Sequence, residues 1–584
     1  MKRAFFLCCF FLYLNTISLT PEKASPNFIL VTIDTWRADY ISASGSKKVK
    51  TPFLDKLAEE GIYLKYVDTP CPMTTPAHAS ILTGLYPKNH GIRDNRNFKL
   101  KDVVTLPELF KLKRYNTFAV VSGAPLSKKY GLNKGFDFYD DDDLEDKNNL
   151  QKILKGSLKS ADQVTEKALG LIDKSQGNIF LWVHFYDPHY PYNPPAKFKE
   201  IYPEDYYAGE VAYVDAVLKA FFENLFKKNK ERWIVIVAGD HGEDLGENGE
   251  DTHGILLYNT TRKVPFIYWD SEKKYKQLGT GAKNLIDIFP TLQELFELKK
   301  TNCDGISLFE NTNRYMFAET FFPLCFAANS GFSAKKENLV FIKNGTSAEI
   351  YEDTFKEKGL NPSSEKIFYN EAQKEIDKYF NEKEDFTPTL KLTSEELKIL
   401  SSLGYIGLSS NLEKITKCDL REMARDFSEY TKKGWEVLHN GDLNIILQEY
   451  NKLLKKYPYS PLLHCDKSDL LVKMMKYDEA YEECKVCTAM DPINSSAYFR
   501  LANLSAMKGK FKEAENYYLY SIKYDEKLSI AHLNLGMIYF EKLNNPAAAL
   551  KHLKRFLELD PKHPKAKMAK DVMKDLESDS TIKK

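Results

Sequence analysis

Two short apolar runs, each ending on an acid, organise this chain. In WIVIVAGDHGEDLGENGEDTHG, Trp233 to Gly254, residues Ile234 to Ala238 are apolar and mostly β-branched, with no polar face. Such a run fits a strand buried on both sides, as in a parallel sheet. It stops at Gly239; Asp240 and His241 follow at once, and a Gly- and acid-rich loop leads on to His253. The second run, FILVTI from Phe28 to Ile33, also ends on an acid, Asp34. Open α/β sheets bind their ligands beyond the carboxyl ends of the strands. Two such strands place Asp34 and Asp240 side by side, where a metal between them relieves the repulsion of paired carboxylates.

Strand-like and helix-like patterns alternate up to about residue 352. Thr51, Pro52 and Gly61 punctuate a helix over PFLDKLAEE. A helix from about Ala77 to Leu82, with Pro76 in its first turn, puts Thr74 and Thr75 at an N-terminus that favours anions. YNTFAVVSG reads as a strand and YDDDDLEDKNN as a solvated loop. IFLWVHFYDPHYPYNPP (179–195) reads as a buried strand and a rigid loop that carry His184, Asp187 and His189 to the same end. A helix over 210–226 then leads into the Trp233 strand, a β–α–β unit; a strand follows at 264–269 and a helix at 284–298.

The last 160 or so residues are helical and repetitive. Tyr457-Pro458, Asp491-Pro492, Tyr524-Asp525 and Asp560-Pro561 recur at steps of 34, 34 and 35, with Ala480, Ala514 and Ala549 in equivalent places. This period resembles the tetratricopeptide repeat, in about four units with a capping helix near Lys565 to Leu576. An extended concave face of this kind is expected to hold a protein partner or the chain's own surface, leaving the catalytic part to fold without it.

At 584 residues the chain has room for several domains, and a net charge of +1 speaks against a nucleic-acid partner. Lys2 and Arg3, the apolar run Ala4 to Leu14 and the small polar residues to Thr20 read as a signal peptide, too short to span a bilayer. No later stretch predicts a membrane span, so the expected location is secreted or periplasmic. Cys8 and Cys9 are poorly placed for a lipid anchor. The remaining seven cysteines, scattered and odd in number, do not read as a disulfide framework, and Cys484 and Cys487 form a lone C-x-x-C taken as coincidence.

FILVTIDTWRADY, TPFLDKLAEEG, TTPAHASILTGLYPKNHGI and the DHG loop, in that order, resemble the sulfatase branch of the alkaline phosphatase superfamily; HYPYNPP, HGILLYNTTRKVP, IDIFPTL and DGISL add to it. The resemblance runs from about residue 26 to 350. It implies an α/β fold, an alkaline-phosphatase-like α/β/α sandwich, with a metal at the strand ends and a nucleophile that attacks sulfate or phosphate. The expected domains are a leader at 1–20, a catalytic domain at 26–375, a helical linker at 376–422 and the all-α repeat solenoid at 423–578.

Three departures shift the expected chemistry. Sulfatases carry a Cys or Ser in Cys-x-Pro-x-Arg that becomes formylglycine. Aligned on Leu82-Thr83-Gly84, this chain has Thr74-Thr75-Pro76-Ala77-His78, and Cys71 is out of register. Thr35 stands where a second Asp is usual, and His241 where Asn is usual. In these respects the chain looks like the superfamily's phosphodiesterases and phosphoethanolamine transferases. Asn95, 21 positions after Thr74, then matches their phosphate-binding Asn, and His253 lies 12 positions after His241 as in the transferases.

The resemblance implies one divalent metal on Asp34, Thr74, Asp240 and His241. The nitrogen ligand favours zinc or manganese, while calcium, used by sulfatases, is also compatible. Thr74 is the implied nucleophile, with His189 and His253 acting on charge or leaving group, and Asn95, His78 and His184 contacting substrate. The expected activity is hydrolysis of a small-molecule, glycan or lipid-headgroup ester, phosphoryl esters favoured. A true sulfatase or a phosphoethanolamine-type transferase is the same-fold alternative. An inactive repeat-based interaction protein is the alternative of another class, and the presence of all four metal-site residues speaks against it.

Overall fold

The computed structural model describes residues 25–380 and 417–578, apart from 96–97, 142–158, 355–357 and single positions at 230, 363, 441, 493, 527 and 562. The leader with Cys8 and Cys9, most of the expected linker and most of the acidic run at 139–149 lie outside the described residues. Among the described residues no helix is long and apolar enough to cross a membrane.

Seven strands form the main sheet: β1 Asn27–Ile33, β2 Ile62–Asp68, β3 Asn116–Val121, β4 Phe138–Asp140, β5 Ile179–Phe185, β6 Trp233–Gly239 and β7 Lys263–Asp270, in the order β2-β7-β6-β1-β5-β3-β4. The five from β6 to β4 are parallel, and β7 runs against both its neighbours. Every residue of β1, β5 and β6 is buried, because helices cover both faces. Alternate side chains separate two cores. Phe28, Leu30, Phe180, Trp182, Ile234 and Ile236 pack under helices α2 (Thr74–Thr83), α3 (Leu106–Leu112) and α6 (Ile288–Leu295). Ile29, Val31, Leu181, Val183, Val235 and Val237 pack under α1 (Pro52–Glu60), α4 (Ala161–Lys174) and α5 (Tyr206–Lys228). The result is an α/β/α sandwich.

Helix α2 starts at Thr74, three residues before the start read from the sequence, since Pro76 is tolerated within a first turn. Asp140 and Asp141 are not part of a solvated loop: both are buried, Asp140 against Lys159 at 3.0 Å and Asp141 against Lys128 at 2.5 Å. A second, antiparallel sheet of five strands (β8 Met316–Thr320 to β12 Lys358–Leu360) and helix α7 (Lys366–Tyr379) follow.

The C-terminal part is four antiparallel helix pairs and a last helix: α8 (Leu420–Asn440) with α9 (Leu443–Lys456), α10 (Pro461–Lys473) with α11 (Tyr477–Met490), α12 (Ser495–Met507) with α13 (Phe511–Tyr524), α14 (Ser529–Glu541) with α15 (Pro546–Leu559), and α16 (Ala566–Ser578). Cys465 in α10 and Cys487 in α11 form a disulfide across 22 residues, which corrects the reading of unpaired cysteines. Cys487 therefore pairs away from Cys484, whose thiol lies 3.0 Å from the Ser468 hydroxyl.

The two halves also share a core, contrary to the expectation of independent folding. Ile255, Leu256, Leu257 and Tyr258, which follow the DHG loop, pack with Leu420, Met423, Ala424, Tyr450, Leu453, Tyr457 and Leu463. Phe427 packs edge-on against Phe322 and Phe326. Asp251 N–H donates to Ser428 Oγ at 2.8 Å, and the Asp251 carboxylate lies 2.9 Å from Lys432 Nζ. Exposing side chains of this size costs roughly 1.5–3 kcal/mol each, so uncovering four is comparable to a domain's whole stability of about 5–15 kcal/mol. A chain ending at residue 415 is therefore expected to yield little soluble protein, whereas one ending at Asp491 keeps the shared core and stays folded. Equal yields and equal melting temperatures for the two would show that the shared core contributes little.

Candidate active site

The sheet register builds the centre of the site. Ile33 is paired with both Gly239 and Phe185, so β1 and β6 release Asp34 and Asp240 side by side, with β5 flanking. Ligand atoms of Asp34, Asp240 and His241 lie within 4.8 Å of one another, and all three residues are buried. Asp240 Oδ1 accepts from the N–H groups of Thr35 (3.1 Å) and His241 (2.8 Å). Asp240 Oδ2 and both Asp34 oxygens accept no hydrogen bond. Three such oxygens, buried without a donor, cost several kcal/mol unless a cation or proton neutralises them.

The donor set fits a metal. His241 Nδ1–H donates to its neighbour's carbonyl, Gly242 O, at 3.0 Å. That leaves Nε2 with its lone pair 3.6 Å from Asp34, 3.5 Å from Asp240 Oδ2 and 3.4 Å from Thr74 Oγ. Two backbone features hold this geometry. A Cβ on Gly242 would sit 1.9 Å from the Thr260 carbonyl, so only glycine fits there. Thr35 adopts φ +53, a strained choice for a β-branched residue, and thereby aims its N–H at Asp240. The Thr35 hydroxyl donates to Pro188 O at 3.3 Å and ties down the loop that carries His189.

Thr74 is the first residue of α2. Thr75 donates its N–H to Asn95 Oδ1 (2.9 Å) and its hydroxyl to Pro125 O (2.7 Å), so Asn95 is bound to the start of α2 and the Thr75 side chain is engaged elsewhere. His189 and His253 stack edge-on at 5.1 Å, and His253 lies 4.4 Å from His241, ring to ring. His78 and His184 depart from the substrate-contacting role read for them. Both are fully buried, and His78 uses both ring nitrogens internally, on Thr74 O (2.8 Å) and Thr32 Oγ (2.9 Å). Asp187 turns away from the metal group and accepts from Ala161 N–H.

Glu243 was not singled out in the sequence. Its carboxyl contacts His253 Nδ1 at 2.8 Å and accepts from Tyr192 O–H at 3.1 Å. The only signal, an acid directly after DHG, is shared with Asp244, Glu247 and Glu250 in the same run.

Burial dominates the electrostatics. It pushes the Asp34 carboxyl up, Asp240 up to about 7 with the Asp34 charge adding, and Glu243 up to about 8. Burial holds His184, His189, His241 and His253 down at about 4 and His78 at about 3. The site thus presents neutral imidazoles beside carboxyls that lack a counter-charge.

A buried, oxygen- and imidazole-lined group at the carboxyl ends of a parallel sheet, beside a hydroxyl at a helix start, is a candidate metal site in an α/β fold. Residues 26–298 match the sulfatase family, and residues 530–563 match the tetratricopeptide repeat. The chain is similar to an "Ulvan-active sulfatase" of Formosa agariphila, 25% identical over 332 residues that cover 49% of this chain and 64% of that protein, less than two thirds of its length. It is also similar to human "Ectonucleotide pyrophosphatase/phosphodiesterase family member 1", 27% identical over 236 residues that cover 38% of this chain and 24% of that one. The solved structure of Ps i-CgsB in complex with k-i-k-neocarrahexaose has the same fold, with a TM-score of 0.52 at 18% identity over 65% of this chain and 97% of that one. Residues 26–298 therefore form a domain that matches the sulfatase family, with relatives in the alkaline phosphatase superfamily, and the C-terminal part carries a tetratricopeptide-repeat match.

The pKa shifts fix a sign for stability. Histidines held below their ordinary 6.5 oppose folding as they protonate, which acts only below about 6.5. Carboxyls held above their ordinary range favour the fold while protonated, and that stability is lost as the pH rises through about 7 for Asp240 and about 8 for Glu243. Chelator-treated protein is expected to melt at progressively lower temperature between about pH 6.5 and 8, and added zinc to flatten that slope. Identical pH profiles with and without zinc would contradict metal binding at Asp34 and Asp240.

Proposed function

We propose that this chain is a secreted or periplasmic, metal-dependent hydrolase in which Thr74 is the nucleophile and phosphoryl esters are preferred over sulfate esters. The observation that carries this reading is Thr74 itself. It occupies the place of the modifiable sulfatase residue, with Oγ 3.4 Å from His241 Nε2 and beside the buried carboxylates. The metal would be held by Asp34, Asp240, His241 and Thr74, where it would act as a Lewis acid and lower the proton affinity of the hydroxyl.

The Thr74 hydroxyl gives up its proton to solvent and its Oγ attacks phosphorus as the P–O bond to the ester oxygen breaks, giving a phosphothreonine; water then attacks phosphorus, breaking the P–Oγ bond and restoring the hydroxyl. In this reading the start of α2 and the Asn95 amide, which is bonded to the Thr75 N–H, would hold non-bridging oxygens. His253 Nε2 can give a proton to the leaving oxygen while Nδ1 takes one from Glu243, whose raised pKa of about 8 keeps it protonated at neutral pH. His189 lines the same side. A threonine hydroxyl lacks the hemiacetal route by which formylglycine sheds sulfate, so a sulfated Thr74 would need a second attack at sulfur. The Cys465–Cys487 disulfide supports an oxidising compartment, as the leader does. The sulfatase names among the relatives favour a sulfated glycan as the second reading.

Purified full-length protein is expected to turn over an aryl phosphate diester or monoester faster than an aryl sulfate. Thr74→Ala should lower that turnover by about a thousandfold or more while keeping bound metal. His241→Ala should lose metal and activity together, and His253→Ala should keep the metal and slow esters with poor leaving groups most. Sulfate hydrolysis that survives Thr74→Ala, or an aldehyde-bearing residue at 71–75 by intact mass, would overturn the assignment.

A further inference from the structure

The loop at 186–195 carries His189 and Tyr192 to the site, and two carboxyls outside the metal group hold its two ends. At the first end Asp187 Oδ2 accepts the N–H of Ala161, the first residue of α4, at 3.1 Å. At the second end Glu210 of α5 accepts the Asn193 N–H on Oε1 at 2.7 Å. Between these anchors the His189 N–H donates to Tyr186 O at 2.8 Å, and the Tyr186 ring stacks on the His189 ring at 4.3 Å. His189 is thus fixed beside Asp187, and Tyr192, which donates to Glu243, is fixed beside Asn193.

The two anchors also meet each other. The Asp187 and Glu210 carboxyls are hydrogen-bonded side chain to side chain. Glu210 is buried, and no N–H or hydroxyl donates to its Oε2. Ionised carboxylates only accept, so this contact requires a proton on one of the two. The other groups facing the pair are Asp162 at the start of α4, Tyr186, Lys199 and Tyr213 of α5, whose O–H donates to Asp162. Lys199, the cation of this set, donates its Nζ to Asn193 Oδ1 instead. Burial pushes both carboxyls up, and the Asp187 charge adds to the rise of Glu210, to about 8, so Glu210 carries the proton at neutral pH.

We propose that Asp187 and Glu210 are positioning residues for His189, a carboxyl–carboxylate pair whose single shared proton draws together the two ends of the loop at 186–195. The link to chemistry rests on the reading of His189 as a group that acts on the ester. A carboxyl held above its ordinary range favours the closed loop while protonated, and that contribution is lost as the pH rises through about 8. Above that pH two adjacent charges repel, the ends of the loop part and His189 loses its place.

Hydrogen exchange of the full-length protein, followed by mass spectrometry of the segment 186–195, reads the pair without relying on activity. Glu210→Gln puts an amide N–H where the shared proton lies and keeps the acceptor for Asn193. Against that variant the wild-type segment should exchange equally at pH 7 and about tenfold faster at pH 9. Equal exchange at both pH values overturns the shared proton, as does faster exchange in Glu210→Gln at pH 7. If Glu210→Gln does not fold, the same comparison with Asp187→Asn decides. Glu210→Ala, which removes the clamp at every pH, should turn over a phosphate ester about 10- to 100-fold more slowly than Glu210→Gln at pH 7. A loosened loop with equal turnover in the two variants overturns the positioning of His189 alone. A wild type that hydrolyses no ester overturns the hydrolase reading, while the exchange comparison still decides the pair.

Discussion

The register of β1 against β6 is the constraint on which the site depends. Because Ile33 is paired with Gly239, two carboxylates leave adjacent strands at the same level, in a place that helices on both faces keep dry. Buried like charges at this range cannot both persist without a counter-charge. The surroundings answer that demand in several ways at once. Gly242 lets the loop close against Thr260, Thr35 accepts backbone strain to satisfy one Asp240 oxygen, and His241 has its proton held on the far nitrogen. None of these devices would be needed if residue 34 or 240 were apolar.

Much of this was legible in the sequence because the signals are local. A β-branched run ending in an acid states both that a strand is buried and where it ends, and two such runs predict the Asp34–Asp240 pair. The repeat period was legible for the same reason. What stayed hidden depends on contacts between residues far apart in the chain. Thr32 looks like one polar residue in a strand, and only the fold puts Trp182, His78 and His184 on its hydroxyl. His184 reads as a site histidine either way, since spacing along β5 cannot tell a substrate contact from an internal one. Asp140 has the same residue type as the aspartates beyond it, and only Lys159 and Lys167 show it to be buried and paired.

The shared core between the halves was hidden for a further reason. Phe322, Phe326 and Phe427 are ordinary core residue types, and nothing in a single sequence says that they meet. Their meeting has a functional side. The loop from Asp240 to Tyr258 carries His241, Glu243 and His253, and the first repeat helices hold its far end through Asp251, Ser428 and Lys432. A loop braced at both ends loses less order when a ligand binds beside it. Anything bound on the repeats can affect the site only by favouring one arrangement of that brace over another.

Charge balance bears on which phosphoryl ester the proposed site suits. A divalent cation on Asp34 and Asp240 leaves the centre near neutrality, and the surrounding histidines are uncharged. The arginines nearest in sequence to the ligands are committed: Arg37 to Asp39 and Glu247, and Arg93 to Glu319. Arg93 is held there by hydrogen bonds of 2.6 and 2.8 Å, so moving it onto a substrate would cost both charge-assisted bonds. A phosphate monoester brings close to two negative charges at neutral pH, and a diester brings one. Desolvating the second charge in a centre already near neutrality is the larger penalty. On the proposed chemistry the site therefore favours the monoanionic diester, with the rest of its binding energy drawn from the group on the far side of the phosphate.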